Sequence, residues 1–284
     1  MKENIELLLN KFHNIARKSY IKGVNNYVSG VGLTFENEIG KVTDSEMFPD
    51  FYDIEIKCTQ RYSGYPIGLF NKALDGPNLF ETKIIVDKYG NEYFEGSDKK
   101  YLMVNLVYGE KVLIYNKYYF ELIISKTDKK LYINIYDLGG NLLDSPYINY
   151  SSIESHLNIK FQKMALVYAS KTKMFENNYF RYYKIEIFKL KSIEKFFELI
   201  EKNIVQLTIM CRASFTKNDI GKQKNKGINF KINKENVTKL FDKILEYDYD
   251  KRVININSEF IFKNNDILDM GDIFEDKQYM EWSK

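Results

Sequence analysis

The sequence predicts a mixed α/β protein, on three observations. An amphipathic helix opens the chain, a strand with one apolar and one charged face follows near residue 55, and a run of strands from residue 101 to 150 gives way to mixed strands and helices beyond it. A length of 284 residues suits one compact body of two lobes, and 23 Tyr with 20 Phe supply ample core. The formal charge of +3 neither demands nor excludes a nucleic-acid partner, so any such case has to be local. Cys58 and Cys211 stand far apart and form no metal-binding pattern, which fits free thiols in a reducing compartment and argues against a zinc site. The first twenty residues lack the apolar stretch and cleavage site of a signal peptide, and no window reaches the ~18 apolar residues of a spanning helix. The expectation is a soluble, cytoplasmic protein without a membrane partner.

Ile5, Leu8, Leu9, Phe12, Ile15 and Ala16 recur at helical spacing and predict a helix over residues 3–18, with His13 as a surface or satisfied histidine. Gly30-Val31-Gly32 reads as a turn, followed by a short helix from Leu33 that Gly40 ends. Ile54, Ile56 and Cys58 alternate with Glu55 and Lys57 as in a strand, with Pro49 and Asp50 at its entry. The Gly- and Pro-rich stretch from Arg61 to Phe80 reads as loop. Residues 101–150 predict antiparallel strands joined by hairpins, whose many tyrosines are assigned to core and cross-strand packing. Beyond them, YFRYYKIEIFKL reads as a strand, SIEKFFELIEKN as a helix capped by Ser192, IVQLTIMCRASF as a strand and KENVTKLFDKIL as a last helix. The C-terminal tail is acidic, with Asp266, Asp269, Asp272, Glu275, Asp276 and Glu281, and reads as a solvated edge.

The segment PDFYDIEIK concentrates charge in a short strand. Glu55 and Lys57, two apart, project from one face while Ile54 and Ile56 enter the core from the other; Asp50 folds toward the charged face, and Asp53 lies out of phase. Two carboxylates and a backbone carbonyl are hard ligands suited to Mg²⁺, and an ammonium beside such an ion orients or deprotonates a bound water, as phosphodiester hydrolysis requires. The same residues also fit an exposed strand face carrying an ion pair of little energetic worth.

GVGLTFENEIG followed by PDFYDIEIK resembles the front end of the MvaI/BcnI restriction endonuclease family, relatives of the mismatch-repair nickase MutH with the PD-(D/E)xK nuclease core. The resemblance implies a mixed β-sheet flanked by helices, with two lobes around a DNA cleft. It implies that Asp50, Glu55 and the Ile56 carbonyl bind the catalytic Mg²⁺, that Lys57 acts on the attacking water, and that Glu36 supports the lysine or a second metal. Glu38, on the same short helix, competes with Glu36 for that role. The spacing of Asp50, Glu55 and Lys57 looks closest to the MvaI branch. The catalytic core is expected within about residues 1–150 and the DNA-recognition elements mainly within about 151–284, on the family's order of elements. Where relatives carry a loop resembling HGxGFR, this chain has Lys226-Gly227-Ile228-Asn229-Phe230-Lys231, which keeps charge but loses imidazole and bidentate guanidinium contacts.

Between Arg212 and Lys234 stand seven basic residues, Arg212, Lys217, Lys222, Lys224, Lys226, Lys231 and Lys234, against Asp219 alone, a local charge of +6 suited to phosphate contacts. Arg61 follows the charged strand closely and is placed to reach a phosphate or base edge; Lys72, Lys83, Lys88 and His156 are weaker candidates. The reading is a Mg²⁺-dependent type II restriction endonuclease acting on double-stranded DNA. By resemblance it works as a monomer at a short near-palindromic site of CCNGG type, with a cognate DNA methyltransferase encoded nearby. The alternatives are a MutH-like nickase and a non-catalytic DNA-binding module.

Overall fold

The structure, a computed structural model, describes residues 2–41, 48–77, 82–97, 100–213 and 223–257. In chain order the elements are α1 (Lys2–Arg17), β1 (Ile21–Lys22), α2 (Gly30–Glu38), β2 (Glu55–Gln60), β3 (Ile67–Lys72), α3 (Thr82–Tyr89), β4 (Asn91–Glu92), β5 (Lys100–Leu106), β6 (Lys111–Ile114), β7 (Tyr118–Ser125), β8 (Lys130–Tyr136), β9 (Leu142–Asp144) and β10 (Tyr147–Asn149). Then come α4 (Tyr150–Lys160), β11 (Lys163–Met174), β12 (Asn177–Leu190), α5 (Ile193–Glu201), β13 (Val205–Ala213), β14 (Gln223–Ile232), α6 (Val237–Leu240), β15 (Phe241–Asp248) and β16 (Val253–Ile256).

Two compact units divide the chain, one within residues 1–65, 157–191 and 238–284 and the other within 66–156 and 192–237. This division interleaves along the sequence and does not coincide with a single cut near residue 150. Its cause is strand pairing: β2 takes its parallel neighbour β11 from more than a hundred residues downstream, and β15 returns to lie beside β12.

The first unit is built on a mixed sheet in the order β16-β15-β12-β11-β2, with β1 added to β12. Parallel pairing sets Glu55 beside Met164 and Lys57 beside Leu166, and fixes which side chains of β2 face which side. Ile54 and Ile56 enter a core with Ala165, Val167, Ile185, Ile187, Leu245 and Tyr247, and the apolar stripe of α1 closes that core. His13 lies in this interior, 2.6 Å from the Tyr247 hydroxyl and stacked on its ring, a satisfied histidine.

The second unit holds two antiparallel sheets, β10-β8-β7-β6 with β9 beside β8, and β3-β14-β13-β5-β4. In the first of these Leu131, Ile133, Ile135, Phe120 and Leu122 are buried, while Tyr132 and Tyr147 pack edge to face across strands, so the tyrosines serve packing as expected. Ser192 caps α5 by accepting from Lys195 N–H at 3.0 Å.

The structure corrects four sequence expectations. The helix predicted over KENVTKLFDKIL is confined to a 3-10 turn at Lys234–Asn236 and the single turn α6; from Phe241 the chain is strand β15, because pairing with the central strand β12 outweighs a pattern that also satisfies helical spacing. The stretch predicted as loop after Arg61 contains β3, an edge strand on β14. The glycines predicted as a turn begin α2, where a Cβ on Gly30 would lie 2.6 Å from the Asn25 carbonyl oxygen. GINFK, predicted within a loop, runs along β14, with Gly227 in the left-handed region at φ +67°.

Candidate active site

Two local devices build the site. The first is a tight turn before β2: Phe51 and Ile54 exchange backbone hydrogen bonds of 3.0 and 2.8 Å, with Tyr52 at φ +50° at its tip. The chain therefore doubles back, and Asp50 faces the start of β2, where its Oδ2 accepts the Ile56 N–H at 3.0 Å. The second is the end of α2. Gly40 takes φ +86°, its N–H donates to the Asn37 carbonyl and the Lys41 N–H donates to the Glu36 carbonyl, a Schellman ending. That ending ties Lys41 to Glu36 through the backbone and turns the lysine toward Asp50, whose Oδ1 accepts from Lys41 Nζ at 2.5 Å.

Glu55 is 1% exposed, so the charged face of β2 is enclosed rather than solvated. Its Oε1 accepts from Lys57 Nζ at 2.7 Å, and Lys57 in turn lies 5.4 Å from the centre of the Phe161 ring. Its Oε2 faces Lys160 Nζ at 3.5 Å but accepts no hydrogen bond, a buried carboxylate oxygen left unsatisfied. Glu36, Asp50 and Glu55 thus stand with Lys41, Lys57 and Lys160 in one electrostatic cluster.

The carboxyls respond differently to it. Burial pushes Glu55 above the usual carboxylate range, Lys57 opposes this and Asp50 reinforces it. Burial likewise raises Glu36, with the charge of Asp50 adding. Burial alone would raise Asp50 too, but hydrogen bonds from Lys41 and the Ile56 N–H hold it below the usual range. Burial, then the charges of Glu36 and Asp50, keeps the Cys58 thiol protonated well above its ordinary range.

The structure gathers Glu36, Asp50, Glu55, Ile56 and Lys57 in one place. Glu38 instead pairs with Lys18 at 2.6 Å, and Asp53 bonds Asn4 and Lys163, away from the cluster. Among the described residues no three His, Cys, Asp or Glu side chains converge as a metal cage. The two carboxylates and one carbonyl still match an ion that keeps several waters, and the unsatisfied Glu55 Oε2 is the observation that favours a cation there. Lys41 and Lys160 were not singled out from the sequence. Lys41 carried a signal, following the glycine that ends a short helix; Lys160, a hundred residues away, carried none.

Of the other predicted contacts, Arg61 extends β2 by donating its N–H to the Ala169 carbonyl, and its guanidinium lies 5.7 and 5.4 Å from the Tyr62 and Tyr183 ring centres. Lys231, half-buried on β14, has its pKa lowered by burial and meets no carboxylate among the described residues. Arg212 and Lys224 are register partners on β13 and β14 and Lys226 lies on β14, with their side chains outside the described part; Lys222 and Lys217 lie outside the described residues, as does the acidic tail. The Lys83 side chain is also outside it. Lys72 pairs with Asp75 at 2.6 Å and Lys88 with Asp144 at 3.1 Å, while His156 stacks on Phe70.

None of the curated proteins compared with the chain matches it. Among solved structures it is similar to the restriction endonuclease MvaI bound to its cognate DNA substrate, with a TM-score of 0.79 and 22% identity over 88% of this chain and 99% of that one. MvaI in the absence of DNA gives a TM-score of 0.53 at 23% identity, over 86% of this chain and 97% of that one. These likenesses establish a restriction-endonuclease-like fold. The sequence model of the MvaI/BcnI restriction endonuclease family matches residues 9–241, spanning both halves of the site, and the chain therefore belongs to that family of site-specific deoxyribonucleases.

Proposed function

We propose that the protein is a Mg²⁺-dependent type II restriction endonuclease that hydrolyses double-stranded DNA at Asp50, Glu55 and Lys57. The observation that carries this reading is the enclosed Glu55 carboxylate, whose Oε2 has no hydrogen-bond partner although it is buried. An isolated surface ion pair would have no reason to bury an oxygen that accepts no hydrogen bond and meets only the Lys160 ammonium at 3.5 Å.

Asp50 and Glu55, with the Ile56 carbonyl, would hold the metal ion, which when bound supplies charge neutralisation at the phosphoryl oxygens and an acidified water. Glu55 fixes the Lys57 ammonium through a 2.7 Å hydrogen bond, and the Phe161 ring beneath limits its motion. Lys57 Nζ then orients the attacking water and stabilises negative charge as it develops. Glu36 completes the charge balance around Lys57 and is raised by burial, so it takes up a proton more readily than an exposed glutamate.

The unit holding β2 carries catalysis in this reading, and the other unit, with β13 and β14, carries recognition. Arg61, Lys231 and the basic residues Arg212, Lys222, Lys224 and Lys226 contact DNA, mainly at phosphates. The protein acts as a monomer in the cytoplasm on a short near-palindromic site of CCNGG type, with a DNA methyltransferase protecting host sites. Digestion of unmethylated plasmid by purified protein with Mg²⁺, followed by sequencing of the ends, tests the reading. Discrete ends at one short sequence are expected; random ends, or single-strand nicks alone, would reject it.

A further inference from the structure

Both oxygens of Asp50 are engaged in this protein: Oδ2 accepts the Ile56 N–H at 3.0 Å, and Oδ1 accepts from Lys41 Nζ at 2.5 Å. The lysine and aspartate side chains are only 13% and 11% exposed, so solvent screens their attraction weakly. Glu55 is held less closely, because its Oε2 accepts no hydrogen bond and faces Lys160 Nζ only at 3.5 Å, while Lys57 occupies Oε1. A dication cannot share Asp50 Oδ1 with an ammonium without strong like-charge repulsion. Among the described residues three lysines, Lys41, Lys57 and Lys160, act on the three carboxylates Glu36, Asp50 and Glu55.

We propose that Lys41 is a resident counter-cation, a positioning residue that holds Asp50 in the metal-free protein and competes with the divalent ion for Oδ1. The proposal rests on the metal-site reading above and adds to it the residue that sets metal affinity. The geometry that delivers Lys41 is the Schellman ending at Gly40, which also fixes Glu36, so one turn of backbone places both the acid and the competing base. The competition keeps the acidic site stable when the ion is absent and makes occupancy depend on the free metal concentration.

Titration of the full chain with Mn²⁺ alone, read by loss of the free-ion electron paramagnetic resonance signal, tests this. Removing an opposite charge that near to a carboxylate corresponds to about tenfold or more in cation affinity, and Lys41→Met and Lys41→Gln are both expected to bind Mn²⁺ about tenfold more tightly than the wild type. A merely structural role for Lys41 moves affinity the other way, since a loosened Asp50 binds less well. Unchanged or weaker binding by both neutral variants would overturn the proposal while leaving the metal site standing. Absence of Mn²⁺ binding in the wild type and in both variants would remove the metal-site reading itself, and the role of Lys41 with it.

Discussion

The proposed function gives Asp50 and Lys57 separate tasks that separate experiments read. Under the proposed function Asp50→Ala removes a metal ligand and Lys57→Ala removes the group beside the attacking water, so each is expected to lower Mg²⁺-dependent cleavage by about 100-fold or more. Duplex binding measured by gel shift in Ca²⁺ should stay within a few-fold of the wild type, because neither side chain belongs to the basic strands. Asp50 also has a signature in stability. Its carboxyl is depressed in the folded protein, so its contribution is present above the ordinary value of 3.8 and is lost as pH falls toward the lower folded value. Asp50→Asn is expected to flatten part of the acid limb of a pH–stability curve recorded by urea denaturation; an unaltered limb would show that the Lys41 pair contributes nothing. At this scale the sequence was readable where the period of two applies, as in Glu55, Ile56 and Lys57. It was not readable for the enclosure of the site, where Lys160 and Phe161 from a distant segment meet Glu55 and Lys57.

Among the elements, the short α2 and the paired strands β13 and β14 each depend on one glycine held at positive φ. Gly40→Ala meets no atom within 4 Å, so its cost is the left-handed backbone alone, about 1 kcal/mol, and its effect is to loosen Lys41. Gly227 also sits in that region, and a Cβ there would lie 2.7 Å from the Lys72 carbonyl oxygen, so Gly227→Val is expected to cost about 3 kcal/mol by strain and overpacking together. Chemical denaturation of both variants checks the order; equal losses would contradict the contact with β3. The elements most legible in the sequence were those whose pattern and partner agree: α1, the hairpins of residues 101–150, and α5 with Ser192 at its cap. The misread ones shared a physical cause. Phe241, Leu245 and Tyr247 also satisfy a strand's period, and only pairing with β12 decides between strand and helix; Ile67 to Lys72 becomes a strand because β14 lies beside it.

At the scale of the whole molecule, total charge is near neutral while the segment between Arg212 and Lys234 carries +6, the local excess that phosphate binding would use. If about six of those residues neutralise phosphates, affinity for duplex DNA falls by about a thousandfold between about 50 and 200 mM salt, a dependence that fluorescence anisotropy measures directly. A shallow salt slope would move DNA binding away from β13 and β14. Family membership and fold make the chain a site-specific deoxyribonuclease, and the proposed function locates that chemistry at the enclosed Asp50, Glu55 and Lys57 cluster. Its most direct test is parallel digestion of unmethylated plasmid with Mg²⁺ by the wild type and by Lys57→Ala, each first shown to fold and to bind duplex. Linear product with one defined end sequence is expected from the wild type and none from the variant; cleavage by Lys57→Ala at the wild-type rate would contradict a catalytic role for this cluster.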